Sequence, residues 1–137
     1  MNTVDEAVFH VMRRALQEHG ARWQAELPSL TKPQYAVLKA IAEGDDIDQA
    51  SAGQQAAIDK ATLANLMLRL EQRGLITRSV GTDRRRRILR LTGRGEAALR
   101  EADPVAREVD ESMLRRLSAA ERAELHRLLR KLSPPAT

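Results

Sequence analysis

The stretch Ile58–Thr92, IDKATLANLMLRLEQRGLITRSVGTDRRRRILRLT, decides the fold. Asp59 has the short carboxylate that accepts from the free amides of a first helical turn. Leu63, Leu66, Met67 and Leu70 then recur at i, i+3, i+4 and i+7, which makes one buried stripe. Gly74 suits the left-handed residue that closes a helix. Leu75 and Ile76 restart the apolar pattern as a strand. Gly81-Thr82-Asp83 signals a turn. Arg84, Arg85, Arg86 and Arg87 follow at the hairpin tip, and Ile88 to Leu91 supply a returning strand.

The face of that helix turned away from the stripe carries Ala61, Asn65, Leu68, Arg69 and Gln72, with Thr62 at its edge. It is small and polar near its start and nearly free of acids. Such a face can lie in a major groove, about 12 Å wide, and bring Thr62 and Asn65 to base edges. The arginine-rich hairpin beside it suits phosphates or the minor groove. The bland alternative is a solvated amphipathic helix beside a solvated turn. Four consecutive arginines directly after the helix tilt the reading toward DNA.

Charge is distributed accordingly. Residues 1–58 carry 5 basic and 8 acidic side chains, residues 59–95 carry 10 and 3, and residues 96–137 carry 8 of each. The excess behind the net +4 therefore sits in the helix–hairpin stretch, the footprint of a nucleic-acid binder. The chain has 137 residues, the size of one domain with or without an extension. Cysteine is absent, which removes disulfides, thiolate nucleophiles and thiol redox sensing together. Phe9, Trp23 and Tyr35 are the only aromatic rings, too few for a stacking platform on single strands. No run of 18 apolar residues marks a membrane span. The first residues lack a signal-peptide layout, so a cytoplasmic location is expected.

Outward from the deciding stretch, helices follow one another. Residues 3–24 read as a first helix with Val4, Val8, Val11, Met12, Ala15, Leu16, His19 and Trp23 along one side. Pro28 and Ser29 mark a loop. Thr31 and Gln34 form a capping box for a second helix, with Tyr35, Leu38, Ile41 and Ala42 expected inside. Gly44-Asp45-Asp46 ends it, and Ile47 reads as a short strand or an anchor. Asp48 caps a third, short helix whose body includes Ala50, Ala52, Gly53, Ala56 and Ala57; its side of methyl groups lets another helix approach closely. A short helix, a tight turn and a helix with a polar outer face make a helix-turn-helix. Thr92 caps a long helix that Asp103-Pro104 is expected to bend or break. Val105, Val109, Met113, Leu114 and Leu117 continue its apolar side. Ser118 and Glu121 form another capping box, and Leu125, Leu128, Leu129 and Leu132 a last stripe. Pro134-Pro135 ends the regular structure before a short tail. Both helical ends carry apolar stripes with no third layer to cover them, and a second copy of the chain is the simplest cover. The rival is that both ends fold back on the same domain.

These residues resemble the MarR-type (multiple antibiotic resistance regulator) winged helix-turn-helix family. The resemblance rests on Leu30-Thr-Lys-Pro-Gln-Tyr-Ala-Val-Leu38, Asp59-Lys-Ala-Thr62, Leu66 through Leu70, Glu71-Gln-Arg-Gly-Leu-Ile76, Asp83-Arg-Arg85 and Leu91-Thr92. It covers residues 30–98 well and the terminal helices by layout. It implies a mainly α protein with a small β-hairpin, a DNA-binding lobe at 30–98, and dimerisation helices at 1–27 and 99–133. The helix after Asp59 becomes the recognition helix and the Asp83 hairpin the wing. Lys60, Ala61, Thr62, Asn65 and Arg69 would face DNA. Asp83 would brace the wing through an arginine, Arg85 would enter the minor groove, and Arg84, Arg86 and Arg87 would hold phosphates. Two departures are Ala52 and Ala56, where the family has larger aliphatics, and Leu68, where it has a polar residue. Leu68 either touches a thymine methyl or is an exposed leucine.

The function so implied is a homodimeric repressor that leaves a pseudo-palindromic operator when a small molecule binds. In the family the effectors resemble aromatic acids, bound between the dimer helices and the DNA-binding lobe. Arg14, His19, Trp23 and Tyr35 are the candidate lining, the arginine as a carboxylate fork and the rings as flat walls. Against this, histidines in apolar stripes are commonly interface residues, tryptophans and tyrosines commonly core, and arginines commonly surface. No cofactor is expected. His10, His19 and His126 lack metal-ligand spacing, and neither a glycine-rich phosphate loop nor a nucleophile series suggests an enzyme. The alternative is a winged helix used for protein or RNA contacts without ligand control.

Overall fold

The stripe Leu63, Leu66, Met67 and Leu70 is buried, and the central lobe is built around it. The computed structural model describes residues 7–135. In chain order these form α1 (Val8–Glu26), α2 (Lys32–Glu43), α3 (Gln49–Ala56), α4 (Lys60–Gln72), β1 (Ile76–Val80), β2 (Arg87–Leu91), α5 (Gly93–Leu114) and α6 (Ala119–Leu132). The expected helix start at residue 3, Val4 and the last two residues of the tail lie outside the described residues. Ala7 is extended, and α1 runs two residues past the expected end.

The helix starts follow their local chemistry. Thr31–Gln34 and Ser118–Glu121 form the two reciprocal capping boxes. Asp48, Asp59 and Thr92 each accept a backbone amide three residues on. Gly74, at φ 73°, takes the left-handed position after α4. β1 and β2 pair antiparallel from Ile76 opposite Leu91 to Val80 opposite Arg87.

One core gathers Leu30, Val37, Leu38, Ile41, Ile47, the α4 stripe, Leu75, Ile76, Leu89 and Leu99. A smaller cluster packs Trp23 of α1 against Ala106 and Val109 of α5, with Leu27 and Tyr35 touching both. The alanines on α5 leave room for the indole. Ile47 proves to be the anchor: its carbonyl accepts from the Leu89 amide at 2.9 Å, and Asp48 bridges Ile88.

Three expectations are corrected. Ala42 is exposed, and Val37 and Ala40 take the inner positions of α2. Ala57 is not helical but left-handed at φ 57°, forming the turn between α3 and α4. Of the bend or break expected at Asp103-Pro104, the break is absent: α5 runs on to Leu114. Pro104 and Arg100 are both exposed, so the carbonyl that loses its partner faces water.

The ends behave differently from each other. α1 folds back along α5 through the Trp23 cluster and an ion pair between Glu18 and Arg116 at 2.6 Å. α6 buries none of its residues. Leu125, Leu128, Leu129 and Leu132 stay exposed, as do Val8, Phe9 and Leu16 of α1.

Candidate nucleic-acid interface and effector cleft

Asp59 does more than begin α4. One carboxylate oxygen accepts the Thr62 amide at 2.9 Å and the other accepts the Thr62 hydroxyl at 2.8 Å. These bonds, the backbone one first, hold Asp59 below the usual carboxylate range. The Thr62 hydroxyl thus already has an acceptor, and its lone pairs are what it has left to offer a base. Ala61, Thr62, Asn65, Leu68 and Arg69 all lie on the exposed side of α4. Leu68 is 45% exposed.

Between α3, α4 and the hairpin lies a groove of about 780 Å³. Lys60, Arg78 and the four arginines 84–87 line it, together with Asp48, Gln49 and Gln54. Lys60 and the hairpin arginines are therefore brought together. Thr62, Asn65 and Arg69 stand outside the groove on the neighbouring face of the same helix.

The hairpin tip is shaped by its own main chain. The Arg86 amide donates to the Asp83 carbonyl and the Gly81 amide to the Arg86 carbonyl. Asp83 braces this turn, though not through a guanidinium: its carboxylate accepts the backbone amide of Arg85 at 3.0 Å. Arg87 donates to the Arg84 carbonyl. Arg86 is paired with Asp48 at 2.6 Å, and Arg90 with Asp46 at 2.6 Å.

Sequence reasoning missed a clamp at the hairpin base. Arg78 of β1 pairs with Glu71 of α4 at 2.9 Å and reaches the Gln49 side chain of α3 at 3.3 Å. The Arg78 hydrogen bond holds Glu71 below its ordinary value. One arginine thus joins all three elements of the groove. The signal available was the single arginine of β1, two residues after Ile76 and so on the same face of the strand, which has no marker distinguishing it from a solvated one.

The second set of candidates is split. His19, Trp23 and Tyr35 cluster, with ring centroids 6.1 Å apart for the first pair and 5.3 Å for the second. Trp23 is buried and its indole N–H donates to the Leu30 carbonyl at 2.7 Å, so it is a core wall. Tyr35 donates its hydroxyl to Asp103 at 2.5 Å. Burial first, then the bond to Asp103 and its charge, push the Tyr35 phenol well above its ordinary value. For Asp103, desolvation opposes ionisation, but the bonds from Tyr35 and Lys39 outweigh it and keep the carboxyl low. His19 lies between Asp110 of α5 at 2.7 Å and Lys32 of α2 at 3.1 Å. Arg14 lies apart, lining a groove with Val11, Glu18, Met113 and Arg116. Among the described residues, no three His, Cys, Asp or Glu side chains gather to hold a metal, and no helix is long and apolar enough to cross a membrane.

A capped helix with a polar outer face, a preceding short helix and a basic two-stranded hairpin define a winged helix-turn-helix protein. A family model described as MarR family matches residues 29–86. The transcriptional regulator HosA of Escherichia coli O157:H7 is 47% identical over 95% of this chain and 97% of its own length. The repressor NicR of Pseudomonas putida is 36% identical over 94% of this chain and 84% of its own. BpsR of Bordetella bronchiseptica, whose DNA binding is regulated by 6-hydroxynicotinic acid, superposes with a TM-score of 0.93 at 34% identity, covering 99% of both chains. The chain belongs to the MarR family of transcriptional regulators.

Proposed function

We propose that two copies of this chain form a repressor that grips duplex DNA and lets go when an aromatic acid binds. The observation that carries the DNA half is the groove in which Lys60 and arginines 84–87 stand beside the exposed face of α4. In this reading Lys60, Ala61, Thr62, Asn65 and Arg69 face the major groove. Arg85 enters the minor groove, and Arg84, Arg86 and Arg87 reach phosphates. Residues 30–98 form the DNA-binding lobe, and residues 1–27 and 99–133 the dimerisation helices. The exposed leucines of α6 support that division. A two-fold dimer reads a pseudo-palindrome with half-sites about one helical turn apart. The protein is not an enzyme and works in the cytoplasm.

The effector half rests on the relatives and on one geometric fact. BpsR answers to 6-hydroxynicotinic acid, a flat ring with a carboxylate. His19, the Trp23–Tyr35 wall and Lys32 present that chemistry where α1, α2 and α5 meet, whereas Arg14 lines a separate groove nearer the start of α1. Use of the winged helix for protein or RNA contacts is not favoured, since the relatives are transcriptional regulators.

Gel shifts on genomic fragments selected by the protein test both halves. Binding should be confined to duplex, fall steeply with salt, and be released by a hydroxylated aromatic carboxylate. Equal binding to single strands refutes the DNA half. Operator binding unchanged by a panel of such acids refutes the effector half.

A further inference from the structure

Asp46 and Asp48 flank Ile47 in the loop between α2 and α3, and both hold arginines of the hairpin. Arg86 places Nη2 2.6 Å and Nε 2.8 Å from Asp48 Oδ2. Arg90 places Nη2 2.6 Å and Nε 3.0 Å from Asp46 Oδ1. Asp48 also stands in the wall of the groove that Lys60 and arginines 84–87 share. A carboxylate there has the wrong sign for a surface that meets phosphate. It offers Arg86 what phosphate would offer, an anionic oxygen at charge-assisted hydrogen-bond distance.

Neither acid is needed as a charge for the backbone. Asp48 caps α3 by accepting the Ser51 amide at 2.7 Å, which asparagine does as well. Asp46 sits at φ 50°, a conformation that asparagine adopts readily. The fold has placed two negative charges on its most basic surface where neutral residues would serve.

We propose that Asp46 and Asp48 are intramolecular competitors for phosphate, holding Arg90 and Arg86 until DNA displaces them. This rests on the reading of the hairpin as a DNA-contacting wing. Phosphate contacts supply the sequence-independent part of affinity, and base contacts the discrimination. An arginine that must leave an acid before reaching DNA gains less from any duplex, while the bases facing α4 are read as before. The two acids therefore lower affinity for random DNA and operator by a similar factor and leave the ratio between them to the bases facing α4.

The test is Asp46→Asn and Asp48→Asn, singly and together, on a random duplex and on the selected operator across a salt series. Each variant should bind random duplex about 1.4- to fivefold more tightly at low salt, the range expected for an exposed ion pair. Each should also steepen the slope of log K against log salt by about 0.9 per released arginine. The gain on the operator should be about the same, so the ratio of operator to random binding stays constant. Arg86→Ala should cancel the gain from Asp48→Asn, which a purely structural role for Asp48 would not produce. Unchanged affinity and slope overturn the proposal. So does a loss on both duplexes, which would mean that the acids aim the arginines at DNA. A wild-type chain that binds no duplex overturns the DNA reading and this one together. One that binds, with variants indistinguishable from it, overturns the competition alone.

Discussion

Tyr35→Phe is the sharpest probe of the junction between α1, α2 and α5. The substitution keeps the ring, 5.3 Å from Trp23, and removes only the hydroxyl that donates to Asp103 at 2.5 Å. Asp103 is then left with Lys39, whose ammonium is 3.3 Å away. A hydrogen bond to a charged acceptor contributes about 1.5–3 kcal/mol. The Asp103 side chain is 25% exposed, so water takes over part of the bond, and the expected loss is about 1–2 kcal/mol. A cycle with Asp103→Asn should give a coupling of about 1 kcal/mol at neutral pH. Trp23, the only tryptophan, reports unfolding in urea by its fluorescence. All variants must be compared at one protomer concentration, because dimer stability depends on it.

The pH dependence has a definite sign. The folded Asp103 carboxyl is depressed, so its stabilisation is present above the unfolded value, about 3.9, and is lost as pH falls through the folded one. The penalty of Tyr35→Phe should be flat from neutral down to mildly acidic pH and shrink below about pH 4. The Tyr35 phenol is raised, so its contribution is complete below about pH 10 and fades as pH climbs through the higher folded value. As the only tyrosine, it can be titrated by tyrosinate absorbance. A coupling within about 0.3 kcal/mol of zero, or ionisation at the ordinary value, refutes the reasoning.

Three further outcomes are expected. Asn65→Ala should cost about 1–3 kcal/mol on the operator and nothing on scrambled duplex, whereas Arg85→Ala should weaken both and reduce the salt slope by about one; equal loss on both duplexes for Asn65→Ala removes its readout role. Ala57→Gly should stabilise the chain by about 0.5–1 kcal/mol in urea melts, because the left-handed turn before α4 strains alanine; destabilisation would contradict that. Leu129→Glu, on a helix that buries nothing within its own chain, should yield a folded monomer by light scattering, and an unchanged dimer would exclude α6 from the interface.

Local chemistry was legible in the sequence, and long-range pairing was not. The caps at Thr31, Asp48, Asp59, Thr92 and Ser118 need only neighbours within three residues, and all five stand where side-chain type places them. The α4 stripe was equally plain, since four large apolar residues at helical spacing admit one phase. Alanine carries too little signal for either purpose. Ala42, expected inside α2, lies outside, and Ala57, a residue type that favours helix, is the left-handed residue of the turn between α3 and α4. Pro104 misled for a different reason: a proline whose freed carbonyl meets water costs less than one inside a core.

The candidate site was legible as a list of residues but not as a set of bonds. Arginines 84–87 stood out by number alone. That Arg86 would meet Asp48 across 38 residues, and Arg90 meet Asp46 across 44, depends on how the α2–α3 loop docks on β2. Composition cannot specify that docking. The same limit separates Arg14 from His19, Trp23 and Tyr35. All three α1 residues share one helix, yet Trp23 packs on Tyr35 and His19 on Trp23, while Arg14 lines a different groove.

Hydroxyl-radical footprinting of the protein on its selected operator tests most directly whether paired α4 helices and wings grip one face of a duplex. The account predicts two protected patches on one side of the DNA, centred about 10–10.5 base pairs apart, with flanking minor-groove protection that disappears for Arg85→Ala. A single patch, or flanks that Arg85→Ala leaves intact, would contradict it.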